Sequence, residues 1–145
     1  MANCAQLINC LNSLYLAHED KFCVTPVGHV FGMYAAHQGG QALRTMFSAP
    51  SVNYDRDGKP ASFWGLQGSA SLHDRELVLT VVNPHVSAPR ETRIGVRGAS
   101  LKSGTATILT SSDIHAHNTF AERNAISPQM KTLDLQRGSL TYNFP

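Results

Sequence analysis

Histidines, carboxylates and cysteines are the groups in this 145-residue chain whose types and spacing could do chemistry. His115 and His117, with Glu122 five residues further on, have the spacing closest to a metal site. Alternate residues of a strand point to one face, so two imidazoles could share an ion, and a carboxylate returning across a hairpin would complete a facial set. No histidine follows His117 to give a third ring, so the simpler reading is one packed imidazole and one exposed. His29 and His37 lie eight residues apart on nearly one helix face. At ~1.5 Å rise per residue they stand ~12 Å apart, too far to hold one ion. We therefore expect no metal and no cofactor.

The carboxylates offer no acid–base pair. Glu19 and Asp20 sit in a polar turn, Asp55 and Asp57 flank an Asp-Gly hairpin signal, and Glu76 opens an exposed strand. Residues of this type are usually solvated surface. Tyr54, Phe63 and Trp64 gather near glycine and proline. Aromatic faces stack on sugar rings, so carbohydrate binding is one reading, although such rings more often pack a core or a domain interface.

Two kinds of element must position these groups. Leu7, Ile8, Leu11, Leu14 and Tyr15 follow the spacing of one helix face. After a polar, turn-like stretch from His18 to Phe22, Thr25-Pro26 offers an N-cap followed by proline at the first helical position. Val27, Val30, Phe31 and Tyr34 supply an apolar stripe, and Gly39-Gly40 ends that helix. Two such helices cannot bury their stripes on each other alone, so they require a larger partner.

From about residue 42 the period changes to two. Glu76–Asn83, Thr92–Arg97, Thr105–Thr110 and Ser139–Phe144 read as strands, with Ser69–Leu72 and Arg44–Val52 weaker. Turn signals separate them at Asp57-Gly58, His73-Asp74, Asn83-Pro84, Arg97-Gly98, Ser103-Gly104 and Arg137-Gly138. Short strands with frequent turns predict a mainly β fold, a β-sandwich or jelly roll, preceded by two helices. We divide the chain into a helical segment, 1–41, and a sandwich, 42–145. An open sandwich calls for a further strand beyond Pro145 to cover its edge.

Bulk properties narrow the partners. Charged residues make up 15% of the chain and the net charge is +2. That balance argues against nucleic acid and against an anionic membrane surface. No apolar run approaches the ~20 residues of a membrane span. Cys4, Cys10 and Cys23 match no paired metal or redox spacing. An odd cysteine count without a secretion signal predicts reduced thiols in a cytoplasmic protein, an argument that lapses if the gene begins upstream of Met1.

Four segments, in order, carry a resemblance. Met1-Ala-Asn-Cys-Ala-Gln-Leu-Ile-Asn-Cys-Leu11 is similar to the segment around the eighth barrel strand of family 51 α-L-arabinofuranosidases. Val24-Thr-Pro-Val-Gly-His-Val-Phe-Gly-Met-Tyr34, continuing to His37-Gln38, resembles their last barrel helix. Leu79-Thr-Val-Val-Asn-Pro-His85 and Ala116-His-Asn-Thr-Phe120 resemble two signatures of their carboxy-terminal domain.

The resemblance implies a (β/α)8 barrel followed by a jelly-roll domain, with this chain beginning near the barrel's end. It implies a retaining hydrolase that releases terminal α-L-arabinofuranosyl residues from arabinan, arabinoxylan and oligosaccharides. Its two catalytic glutamates would lie upstream of Met1, so the isolated chain is expected to be inactive. It also implies a homo-oligomer. Gln6 follows the barrel strand and matches a family glutamine that hydrogen-bonds arabinose hydroxyls, a task that suits an amide able to donate and accept. Its alternative role is to cap the following helix. Two other classes stay open: a free-standing carbohydrate-binding β-sandwich, and a metal-binding jelly roll of the cupin type. The His115-x-His117 spacing resembles the first cupin motif, but its bracketing glycines are missing.

Overall fold

A computed structural model describes residues 3–4, 6–135 and 139–145. The fold is mainly β. In order, it holds strands β1 (Tyr15–His18) and β2 (Lys21–Val24), helix α1 (Pro26–Tyr34) with a 3-10 turn at Ala35–His37, and strands β3 (Gln41–Leu43), β4 (Val52–Arg56) and β5 (Lys59–Phe63). Strands β6 (Gln67–His73), β7 (Glu76–Val82), β8 (Arg90–Gly95), β9 (Thr105–Ile108), β10 (Gln129–Thr132) and β11 (Ser139–Phe144) follow.

The chain forms two compact units: Met1–Ala36 with Ser103–Asp134, and His37–Lys102 with Leu135–Pro145. The first contains the β1–β2 hairpin, α1 and the β9–β10 pair. Leu14, Cys23 and Ile126 are its buried apolar residues, and Ser13 and Asn118 are buried with them. The second contains a β3-β6-β7 sheet and the pairs β4–β5 and β8–β11, all antiparallel. Val52, Leu66, Ala70 and Leu140 are buried there.

The strands that alternate most clearly in sequence alternate in burial too. Along β8, Glu91, Arg93 and Gly95 are exposed while Thr92 and Ile94 are partly covered, and β11 shows the same two-residue rhythm. The Asp57-Gly58 signal becomes the two-residue loop between Arg56 and Lys59. Both residues have positive φ, 55° and 75°, as a type I′ turn requires. Helix α1 begins where Thr25-Pro26 predicts, with Thr25 accepting a hydrogen bond from the Gly28 N–H at 3.1 Å.

Of the two expected helices, the first is absent. Residues 7–13 form bends and a turn, the Ser13 N–H donating to Cys10 O at 3.0 Å, and Tyr15 opens β1. The chain doubles back so that Ile8 lies beside Tyr15 in an isolated parallel bridge. Asn9 and Asn12 have φ of 54° and 59°, a left-handed conformation that asparagine tolerates and a helix excludes. The apolar stripe also does not act as one face: Leu14 is buried at 8% exposure, whereas Leu7 is 60% exposed and Leu11 87%. The polar stretch after His18 is a turn, but it joins two strands. The weaker strand candidate over 44–52 is irregular until Val52, because β3 ends at Leu43 and the intervening chain has no ladder partner. The Arg137-Gly138 turn signal lies outside the described residues.

Candidate functional site

Each of the four segments singled out by resemblance contributes at least one polar side chain that fastens the backbone. In the first, the Asn9 amide pairs with Ala17: its Nδ2 donates to Ala17 O at 2.7 Å, and the Ala17 N–H donates to Oδ1 at 2.8 Å. A side-chain amide thereby reproduces the two-bond exchange of a strand pair. In the second, Thr25 Oγ1 donates to Ser13 O at 2.7 Å and lies 3.2 Å from Leu14 O, while capping α1. This ties the helix start to the turn before β1.

In the third segment, Asn83 Nδ2 reaches the carbonyls of Ala88, Phe144 and Pro145 at 3.0, 3.2 and 3.0 Å. Its Oδ1 accepts the His85 N–H at 3.1 Å, and His85 Nδ1 accepts the N–H groups of Ala88 and Ser87. Asn-Pro-His is thus a loop organiser that joins the end of β7 to the end of β11.

The fourth anchor is the most buried. Asn118 is 2% exposed. Its Nδ2 donates to Val24 O at 2.9 Å and to Ile126 O at 2.7 Å, and its Oδ1 accepts the Ile126 N–H at 2.7 Å. Thr119 closes the loop between, with Oγ1 accepting the Glu122 N–H at 3.0 Å. The amide satisfies backbone groups that no ladder reaches, as burial demands. Sequence reasoning marked these segments but did not assign the anchoring role. For Asn83 the available signal was an asparagine just past the apolar run ending at Val82; Asn118 follows no such run.

The predicted site residues divide as follows. Gln6 is exposed, and its main-chain carbonyl lies 3.1 Å from the Cys4 thiol. His115 and His117 are both exposed; His115 belongs to a turn, with its N–H bonded to Asp113 Oδ1 at 2.8 Å, and His117 lies in irregular chain just after it. The same-face argument for a metal pair needed a strand, and neither histidine lies in one. Among the described residues no group of three or more His, Cys, Asp or Glu is gathered closely enough for a metal. His29 lies on α1 with a buried Nε2 that has no hydrogen-bond partner among the described residues. His37 bonds Ser71 Oγ at 2.7 Å through Nδ1 and Thr80 Oγ1 at 3.1 Å through Nε2, a polar brace across β6 and β7.

All ten carboxylates are exposed. The aromatic trio is not core. Tyr54, Phe63 and Trp64 are 43%, 36% and 54% exposed, and they stack edge to face on the β4–β5 hairpin.

This arrangement is architectural, and comparison with known proteins places it. The model of the α-L-arabinofuranosidase C-terminal domain matches residues 1–145. The chain belongs to that family. This C-terminal domain is 25% identical over 146 residues to an intracellular exo-α-L-arabinofuranosidase of Bacteroides ovatus, covering all of this chain and 28% of that protein. Among solved structures, the family 51 arabinofuranosidase of Xanthomonas axonopodis pv. citri superposes with a TM-score of 0.87 at 27% identity, over 97% of this chain and 28% of that one. The α-L-arabinofuranosidase of Thermotoga maritima, solved with arabinose, gives 0.82 at 25% identity, over 97% and 31%. The domain therefore spans under a third of the length of the relatives it matches. No helix among the described residues is long and apolar enough to cross a membrane.

Proposed function

We propose that this domain is the carboxy-terminal portion of a retaining α-L-arabinofuranosidase that releases terminal α-L-arabinofuranosyl residues from arabinan, arabinoxylan and oligosaccharides. One observation carries the reading: a family match along the whole chain, which nevertheless spans only 28% of a catalytically named relative. The ten exposed carboxylates support placing the nucleophile and the acid in the remainder of such an enzyme. In this reading residues 1–41 close a (β/α)8 barrel and 42–145 are the jelly-roll sandwich. Exposed Leu7, Ile8 and Leu11 support the first part, since apolar groups of this size gain from being covered. The parent is a cytoplasmic homo-oligomer, in keeping with the relative's description as intracellular.

Gln6 is the proposed substrate-binding residue. Its exposed amide can donate to and accept from adjacent hydroxyls.

The test is a chimera in which this chain replaces the matching segment of the Bacteroides ovatus enzyme. The chimera is expected to hydrolyse a chromogenic α-L-arabinofuranoside, and the 145-residue chain alone to leave it intact. Turnover by the chain alone, or a folded chimera without activity, would overturn the proposal. In the active chimera Gln6→Ala is expected to lower kcat/KM about tenfold or more, equivalent to one lost sugar hydrogen bond of ~1.4 kcal/mol. Unchanged kinetics would remove Gln6 from the site.

A further inference from the structure

The β4–β5 hairpin is built unlike the rest of its unit. Its root is fixed: Val52 and Leu66 are 9% and 2% exposed, and a side chain at Gly65 would run into the Pro50 carbonyl. Its tip is set by the Asp57-Gly58 turn, where Asp55 Oδ1 accepts the Gly58 N–H at 2.8 Å. Between root and tip stand three large aromatic side chains in the open. Tyr54 and Phe63 have ring centroids 5.5 Å apart at 62°, and Phe63 and Trp64 6.2 Å apart at 88°. Phe63 is the shared ring, so Tyr54 and Trp64 each meet one neighbour in the trio and keep a face clear of aromatic partners.

We propose that this aromatic trio is a sugar-binding platform for arabinofuranosyl chains. The charges beside it argue for a neutral ligand: Asp55 and Asp57 are balanced by Arg56 and Lys59, and all four are exposed. A nucleic acid or an acidic peptide would call for a positive excess. A second copy or another protein laid over the hairpin would desolvate those four charges at a cost. A saccharide needs only the ring faces, against which its C–H groups pack, while its hydroxyls stay in water. The rigid root and turn hold the rings ready, so little conformational entropy is lost on binding.

The choice of sugar rests on the arabinofuranosidase reading above; the platform itself rests on the hairpin. Trp64 is the chain's single tryptophan, so its fluorescence reports on this hairpin. The 145-residue chain is titrated with linear arabino-oligosaccharides, and with xylo-oligosaccharides for comparison. A saturable change in Trp64 emission is expected with the arabino series, with affinity in the millimolar range or tighter. In Tyr54→Ala, which keeps the reporter, binding is expected to weaken about tenfold, the scale of one lost aromatic contact. No saturable change up to about 10 mM sugar, where binding worth ~3 kcal/mol would register, overturns the proposal, whether or not the variant folds. So does saturation by the xylo series alone, or an emission shift that follows protein concentration and dimerisation without sugar. An active chimera beside a silent Trp64 defeats the platform and spares the enzyme reading. Sugar binding beside an inactive chimera does the reverse.

Discussion

Replacing Asn118 by alanine is the sharpest test of how this domain is held together. The amide makes three hydrogen bonds at 2.7–2.9 Å, two of them in fully buried surroundings. At a net ~1 kcal/mol per bond their loss costs ~3 kcal/mol, and the stranded Ile126 N–H adds about 1 kcal/mol of unrecovered desolvation. The sum, about 4 kcal/mol, is a large share of the 5–15 kcal/mol by which domains are typically stable. With a urea m-value of ~2 kcal/mol/M the midpoint falls by about 2 M, read by far-UV circular dichroism. Asn118→Asp is expected to be no better. A carboxylate still accepts from Ile126 N–H but sets negative oxygen against the Val24 and Ile126 carbonyls, in a pocket where the side chain is 2% exposed. Asn9→Ala, at an exposed amide with two such bonds, should lose about 1–2 kcal/mol. An Asn118→Ala loss below about 1 kcal/mol, or one no larger than that of Asn9→Ala, would refute the claim that a buried amide carries this loop.

Two glycine substitutions test the backbone geometry in the same unfolding assay. Gly28→Ala, in the first turn of α1, would normally gain up to about 1 kcal/mol. Here the new methyl would overlap the Leu14 carbonyl oxygen, so a destabilisation is expected, and any gain would contradict the packing of α1 on the turn before β1. Gly58→Ala places a side chain at φ 75° and is expected to cost about 1–2 kcal/mol. A neutral result would argue against the type I′ turn.

Helix α1 and strands β6, β7, β8, β9 and β11 were legible because their signals are local, whereas β1 and β2 fell in the stretch read as helical and β5 and β10 were not read as strands. Thr25-Pro26 caps and starts a helix whatever surrounds it, and the alternation over Arg90–Gly95 survives in the folded burial pattern. The segment from Leu7 to Tyr15 was misread for the opposite reason. Its apolar spacing fits a helix, but which way those side chains face depends on neighbours, and two left-handed asparagines turn the chain back on itself. The candidate site was only half legible. Asn118 stood inside a marked segment, yet its partner Val24 is 94 residues away, and no periodicity encodes a bond of that reach. The Tyr54–Phe63–Trp64 cluster was visible in composition, whereas its exposure emerged only in three dimensions.

The anchors have a consequence for how such a fold drifts. Asn9, Asn83 and Asn118 grip carbonyl and amide groups of the main chain, which every residue offers apart from the missing amide hydrogen of proline. The residues they hold can therefore change identity without releasing the grip. A scaffold fastened in this way can lose most of its sequence likeness and keep its shape, as the TM-score of 0.87 at 27% identity illustrates.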